Sequence, residues 1–288
     1  MEMEKKCIGV IIVVYNPDVE ELWKKLELLD NDINIVVVDN TSGKSIDLSP
    51  LNNVDYIPLH KNTGIANAQN KGIGHLVGKG CSHIVFFDQD SMFDNIVVHG
   101  IVNEYKRIEQ AHSNLFLLGP QVVNKESGKE YRSVIHKENT DNIKFSAKRD
   151  IISSGSCASV KKICDVGMME SELFIDYVDF EYCWRSEAKG YVCGTTGNVV
   201  LPHKVGRREL HIFQGYSVII SAPFRYYYQY RNYLWLCRRR YVPFSWKINT
   251  GIKLFLRIFY FPLAVNGWRS IEKYMFKGIY HGIFKRNL

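Results

Sequence analysis

The chain has 288 residues, enough for a sizeable core in one large domain or in one domain plus an extension. Its 46% hydrophobic and 13% aromatic content excludes a disordered chain. Seven cysteines without a Cys-x-x-Cys spacing argue against a zinc site or disulfide framework and for a reducing compartment. The net charge of +7 is split: residues 203–288 carry 16 Lys/Arg against 2 Asp/Glu, and residues 1–202 carry 21 against 28. An acidic first part joined to a basic, aromatic tail points to an anionic partner, with nucleic acid and anionic membrane as the two candidates.

The N-terminus is a poor secretory signal, with Glu2 and Glu4 ahead of an apolar run too short to span a bilayer. That run, residues 7–15, reads as a buried strand ending at Asn16-Pro17. Residues 18–29 have helical spacing, with Val19, Leu22, Leu26 and Leu29 on one face. Residues 33–38 are a second strand, closed by Asp39-Asn40, and residues 54–59 a third. Residues 62–77 are polar and then helical, with Gly64, Gly72 and Gly74 among them. Residues 81–87 form a fourth strand, which runs into Asp88-Gln89-Asp90-Ser91. Strands alternating with helices predict an α/β fold whose central sheet is mostly parallel. Ligands of such sheets bind beyond the carboxyl ends of the strands. Asn16, Asp39 and the pair Asp88/Asp90 all fall there.

Two carboxylates two residues apart at a strand exit are costly to hold together without a cation. Their hard oxygens suit Mg²⁺ or Mn²⁺ beside phosphate oxygens, the alternative being a solvated strand end. At the end of its strand, Asp39 can accept from a base imide or a ribose hydroxyl, or simply cap a turn. The segment from His60 to Asn70 has small residues that let backbone approach a ligand, and Asn62 and Asn70 to orient it. It lacks the spacing of a Walker loop.

Val13-Val14-Tyr15-Asn16, Val38-Asp39-Asn40, Asn62-x-Gly64-Ile65-Ala66-x-Ala68-x-Asn70 and Asp88-Gln89-Asp90-Ser91 together resemble the family 2 glycosyltransferases of GT-A fold, over residues 8–208. The Asp-Gln-Asp-Ser form resembles the rhamnosyltransferase branch, which builds O-antigen, capsule and related polysaccharides. The resemblance implies an inverting, metal-dependent transferase. Its donor would be a nucleotide sugar, dTDP-L-rhamnose first and UDP-galactofuranose or UDP-glucose as alternatives. Its acceptor would be a saccharide, lipid-linked by preference. It implies donor contacts from Tyr15, Asn16, Asp39, Asn62, Gly64, Asn70, Asp88, Gln89 and Asp90. Asp90, with Asp88, would hold the metal. His203, in a segment similar to the family's His-x-x-Gly, would approach the metal or diphosphate or be structural. Ser154 and Gly155 would line the acceptor side.

A second acidic cluster contains Asp176, Asp179, Glu181 and Arg185. The family has adjacent acids followed by an Arg on a helix facing the acceptor. Here Val178 stands in place of the first acid. Asp179 aligns with the catalytic base, Asp176 is the rival one helical turn earlier, and Arg185 falls on the acceptor side. Glu181 and Arg185 also have the i, i+4 spacing of a helix ion pair, and Trp184 reads as core.

Residues 209–288 read as a helical extension to a catalytic domain of residues 1–208. The run from Phe224 to Tyr233 mixes aromatic and cationic groups, as single-stranded nucleic-acid sites and membrane interfaces both do. Residues 248–265 are apolar but broken by Lys253, Arg257 and Pro262, which fits a helix lying in a membrane interface better than one crossing it. The alternatives are a subdomain packed on the core and a contact between identical chains. A nucleic-acid-binding module would leave the acids of residues 1–202 unexplained, so no nucleic-acid partner is expected. The enzyme is expected in the cytoplasm, peripheral at the inner face of the cell membrane.

Overall fold

The computed structural model describes residues 7–43, 45–48, 51, 53–124, 144–203, 208–213, 216–265 and 267–285. The apolar, β-branched runs become β1 (Ile8–Val14), β2 (Ile33–Asp39), β3 (Val54–Pro58) and β4 (His83–Asp88). They alternate with α1 (Val19–Leu26) and α2 (Ile65–Gly78) and pair in parallel. After α3 (Asn95–Ala111) come β5 (Leu115–Asn124), β6 (Phe145–Lys148) and β7 (Cys157–Ser159). Then follow α4 (Val160–Val166), α5 (Val178–Ala188) and β8 (Val192–His203). The sheet has eight strands in the order β3-β2-β1-β4-β7-β5-β8-β6. The expected parallel half is present. Beyond it β7 runs antiparallel to β4, which returns the chain to the carboxyl end of β4 just before residue 157.

Both faces of the sheet are covered, so successive residues of β1 are buried on opposite sides. Ile11 and Val13 pack with Ala66, Ala68, Ile73 and Leu76 of α2. Val10, Ile12 and Val14 pack with Leu22 and Leu26 of α1 and with Val98 and Ile101 of α3. Each buried Val, Leu or Ile among them contributes about 1.5–3 kcal/mol relative to exposure. Asp18 and Asp94 start α1 and α3 by accepting from the Glu21 and Val97 amides, at 3.1 and 2.9 Å.

The tail begins with a two-stranded antiparallel pair, β9 (Arg208–Phe213) and β10 (Tyr216–Ile220), which the sequence pattern does not announce. Three helices follow: α6 (Pro223–Cys237), α7 (Phe244–Ala264) and α8 (Trp268–Phe284). The aromatic-cationic run from Phe224 to Tyr233 lies on α6. It is an internal helix: Tyr226, Tyr230, Arg231 and Asn232 are all buried. Tyr226, Tyr230 and Tyr233 pack in the tail's own core and Arg225 and Arg231 reach Asp176 and Glu172, so this run is not the exposed polyanion-binding surface its composition suggested. No described helix is long and apolar enough to cross a membrane.

Candidate active site

The strand register assembles one edge of the site. Asp39 on β2 lies opposite Val14, and Asp88 on β4 opposite Val13. Their backbones therefore flank β1 about 10 Å apart, two strand spacings. Side chains lock the edge. Gln89 Oε1 accepts from the Tyr15 amide at 2.6 Å, Thr41 Oγ1 from the Asn16 amide at 2.8 Å, and Asp39 Oδ1 from the Thr41 amide at 2.9 Å. Asp39 is buried, and its Oδ2 accepts from the Tyr56 hydroxyl at 2.7 Å. Burial and that carboxylate push the Tyr56 hydroxyl up. Asp39 thus forms the floor of this edge, while Tyr15 and Asp90 are exposed on it. The buried Lys25 ammonium donates to the Gln89 carbonyl at 2.8 Å and holds the acid-bearing turn from beneath.

Asn40 and Asn62 link this edge to α2. The Asn40 amide donates to Asn62 Oδ1 at 3.0 Å, and Asn40 Oδ1 accepts from the Thr63 amide at 2.7 Å. Asn62 Oδ1 also accepts from the Gly64 amide at 3.1 Å. Gly64 has φ +86°, and a Cβ there would lie 2.6 Å from the Phe174 carbonyl oxygen. The backbone that its missing side chain admits is therefore Phe174 of the protein itself. Asn70 sits further along α2, where it donates to the Met169 carbonyl and accepts from the Met169 amide, at 2.8 and 2.9 Å. Gly64 and Asn70 thus dock the segment leading to α5.

That segment carries the second acidic cluster. Phe174, Asp176 and Tyr177 all have φ near the left-handed region, at 65°, 65° and 66°. Such a run is unfavourable for residues with a Cβ unless the surroundings impose it. They do so from both sides. The Ile65 amide of α2 donates to the Phe174 carbonyl at 2.7 Å. From α6, the buried Asn232 amide donates to the carbonyls of Leu173, Ile175 and Asp176, at 2.8, 2.9 and 3.1 Å. Arg231 reaches the Glu172 carbonyl at 2.6 Å and orients Asn232 through its Oδ1 at 2.7 Å.

The two candidate bases are held differently. Asp176 is gripped by both arms of the Arg225 guanidinium, at 2.6 and 3.1 Å. Asp179, in the first turn of α5, accepts the Ser153 amide at 3.3 Å. Burial raises its carboxyl above the ordinary 3.8, against the opposing pull of backbone amides at Asp179 and Ser153. Ser153 and Ser154 in turn connect the two acidic clusters. Ser153 touches Asp179, while the Ser154 hydroxyl touches Ser91 Oγ and lies 3.5 Å from the Asp88 amide. Gly155 donates to the Phe86 carbonyl at 2.6 Å, which fixes this segment along the end of β4. Gln69, buried on α2, steadies it through Ser153 Oγ at 3.2 Å.

Arg185 and Glu181 form the expected ion pair at 2.8 Å, and Trp184 is fully buried. The Arg185 fork also donates to the carbonyls of Val166 and Met168, both at 2.8 Å, so its donors brace α5 against the end of α4. Glu181 further accepts from the Tyr241 hydroxyl at 2.7 Å. His203 is placed by backbone at the end of β8, opposite Asn124, and its side chain lies outside the described residues, as do Lys204 and Arg207. The structure thus brings together Tyr15, Asn16, Asp39, Asp88, Gln89, Asp90, Ser154, Gly155 and Asp179. It commits Asn70 and Arg185 to internal contacts. Asn40, Gln69, Arg225 and Asn232 were not assigned roles from sequence. Asn40 was signalled by its place beside Asp39, whereas nothing local marks Asn232 within its aromatic run.

The donor set at the β4 exit fits a divalent cation. Asp88 and Asp90 are hard oxygen ligands, and no hydrogen bond or ion pair engages the exposed Asp90 side chain among the described residues.

Known proteins share this fold. In fold, S. aureus TarS 1–349 in complex with UDP-GlcNAc matches with TM-score 0.55 at 13% identity, over 96% of this chain and 81% of that one. GalNAc-T7 with UDP, GalNAc and Mn²⁺ matches with TM-score 0.55 at 12% identity, over 99% of this chain and 57% of that one. In a structure of a longer S. aureus TarS chain, the match spans 45% of the chain. At these identities the likeness speaks for the fold, which is GT-A. In sequence, the chain is 31% identical over 250 residues to the dTDP-rhamnosyl transferase RfbF of Shigella flexneri, covering 82% of this chain and 81% of that protein. The model of glycosyl transferase family 2 matches residues 9–163, from β1 through the acid turn and into α4. With the strand-end carboxylates, the family match and this relative in agreement, the chain is a glycosyltransferase and belongs to family 2.

Proposed function

We propose that this glycosyltransferase moves L-rhamnose from dTDP-L-rhamnose to a saccharide hydroxyl with inversion, Asp179 acting as base. The observation that carries the mechanism is the contrast between Asp176 and Asp179. Both oxygens of Asp176 are already engaged by the Arg225 fork. Among the described residues Asp179 meets only backbone amides at hydrogen-bond distance, and burial raises its carboxyl. The rhamnose assignment is supported by the similarity to the Shigella flexneri protein.

In this reading the nucleoside lies over the floor formed by Asp39, with Tyr15 and Asn16 beside it. Ser154 and Gly155 shape the acceptor side. The acceptor oxygen bonds to the anomeric carbon, the bond from that carbon to the diphosphate oxygen breaks, and the hydroxyl proton passes to Asp179. Asp90, with Asp88, would hold Mg²⁺ or Mn²⁺. A cation there would offset charge gathering on the departing diphosphate. The acceptor we favour is a lipid-linked saccharide of a cell-surface polysaccharide such as O-antigen or capsule, met at the inner membrane face.

The test is nucleoside-diphosphate release by the purified protein from dTDP-L-rhamnose, UDP-glucose and UDP-galactose. Each is assayed with Mg²⁺, Mn²⁺ or chelator, and with or without a lipid-linked saccharide extract. Turnover of dTDP-L-rhamnose that chelator stops and Asp90→Ala abolishes is the expected result. Preference for a UDP-sugar would remove the rhamnose assignment, and full activity of Asp90→Ala would remove that residue's metal role.

A further inference from the structure

Helix α7 is apolar on two opposite sides. Leu254, Ile258 and Phe261, spaced by four and three, pack into the core shared with α6 and α8. Facing away from that core are Ile248, Ile252, Phe255, Leu256, Phe259 and Leu263, all exposed, from 47% at Ile248 to 90% at Leu263. At about 100° per residue these six form one continuous stripe, roughly opposite the buried row. No charge interrupts it. Lys247 turns its ammonium to the Arg239 carbonyl at 2.7 Å, and Arg257 reaches Gln229 on α6 at 2.7 Å. Lys253 is exposed at the margin of the stripe. A contiguous row of this kind is not the scattered apolar exposure of an ordinary surface.

Charge selects what covers it. Between Pro223 and Phe284 there are eleven Lys/Arg and a single acid, Glu272. Six of those cations are exposed, Arg240, Lys253, Arg269 and Lys273 among them, and Glu272 is half-buried. A second copy meeting this face would bring like charge to like charge, whereas an anionic lipid surface complements both the stripe and the net basic charge of these three helices. We infer that the outer face of α7 is a docking surface for an anionic bilayer, the helix lying in the headgroup region without crossing it. The same helix begins at the site. The ring of Trp246 packs on Tyr177 and Trp184, with centroids 5.1 and 4.8 Å apart, so docking fixes α5 and Asp179 relative to the membrane plane.

The experiment is flotation of the purified full-length protein with vesicles of phosphatidylcholine alone or mixed with phosphatidylglycerol, without any sugar nucleotide, so that its outcome is independent of the reaction. Wild type should bind the mixed vesicles about tenfold better than neutral ones, and added salt should weaken this. The double substitution Phe255→Glu/Phe259→Glu should lose binding at least about tenfold, with an unchanged melting temperature because both side chains are already in solvent. Lys253→Glu/Lys273→Glu should lower binding to the anionic vesicles while leaving the weak neutral binding in place. Failure of wild type to float with mixed vesicles, or equal flotation of the Phe255/Phe259 variant, overturns the proposal. So does a wild-type dimer in light scattering that the same variant converts to monomer while vesicle binding is absent, because that outcome assigns the stripe to a second copy.

Discussion

The environment of Asp179 sets two opposing demands on one side chain. Its carboxyl is raised above the ordinary 3.8 by burial, so folding shifts the balance toward the neutral acid. The proposed reaction needs the anion. Because the folded value lies above the unfolded one, the ionised form is destabilising, and the cost appears as pH rises through the folded value. Asp179→Asn should therefore melt higher than wild type at neutral pH, with the difference vanishing below about pH 4. Its transfer rate should fall by about 100-fold or more while sugar-nucleotide binding persists. Melting curves across pH, set beside kcat, check both halves. Near-normal turnover would move the base elsewhere. The acid limb of the wild-type rate profile should also lie above the usual carboxylate range. Gly64 is constrained by geometry alone: Gly64→Ala places a methyl against the Phe174 carbonyl at φ +86° and should cost about 2 kcal/mol, measured by denaturant unfolding.

At the scale of elements, α5 begins without a side-chain cap, at Tyr177 with left-handed backbone. What sets its start is the clamp on residues 172–177, made by α2 on one side and by Asn232, Arg231 and Arg225 of α6 on the other. Asn232 is fully buried and its amide is the donor to three carbonyls. Asn232→Leu should leave the Ile175 and Asp176 carbonyls without this donor, at a cost of about 2 kcal/mol. It should lower kcat more than it raises KM for the sugar nucleotide, because the proposed nucleotide edge is built by β1, β2 and β4. Equal effects on kcat and KM would argue against a role specific to α5 and its proposed base. Arg225→Lys keeps the charge beside Asp176 but loses the fork, so an intermediate kcat is expected.

For the whole molecule, the tail completes the apolar cluster around α5. Trp235, Leu236 and Val242 belong to the same apolar cluster as Val178, Tyr182 and Trp184 of α5. Arg239 pairs with Glu170, and Tyr241 donates to the fully buried Glu181. Removing α6–α8 would uncover that cluster and free the buried carboxylate. The full chain should therefore unfold in one cooperative transition, with calorimetric and van't Hoff enthalpies in agreement. Two resolved transitions would show instead that the tail folds as its own unit.

The parallel half of the sheet and its carboxyl-end polar residues were legible in sequence, because apolar runs closed by Asn16, Asp39 and Asp88 report local burial and strand exit directly. Resemblance then named the family and proposed Asp179. The roles of Gly64 and Asn70 were not legible, since a small residue or an amide looks the same whether it meets a ligand or a distant backbone. Nor was α6: its alternation of rings and cations suggested a surface, and only packing against α8 and residues 172–176 turned those groups inward. The amino-acid order determined which segments are strands and helices, through periodicity that acts over a few residues. The tertiary structure decided which polar groups remain available for chemistry, because hydrogen bonds between Asn232 and Ile175, or Ser153 and Asp179, join residues tens of positions apart.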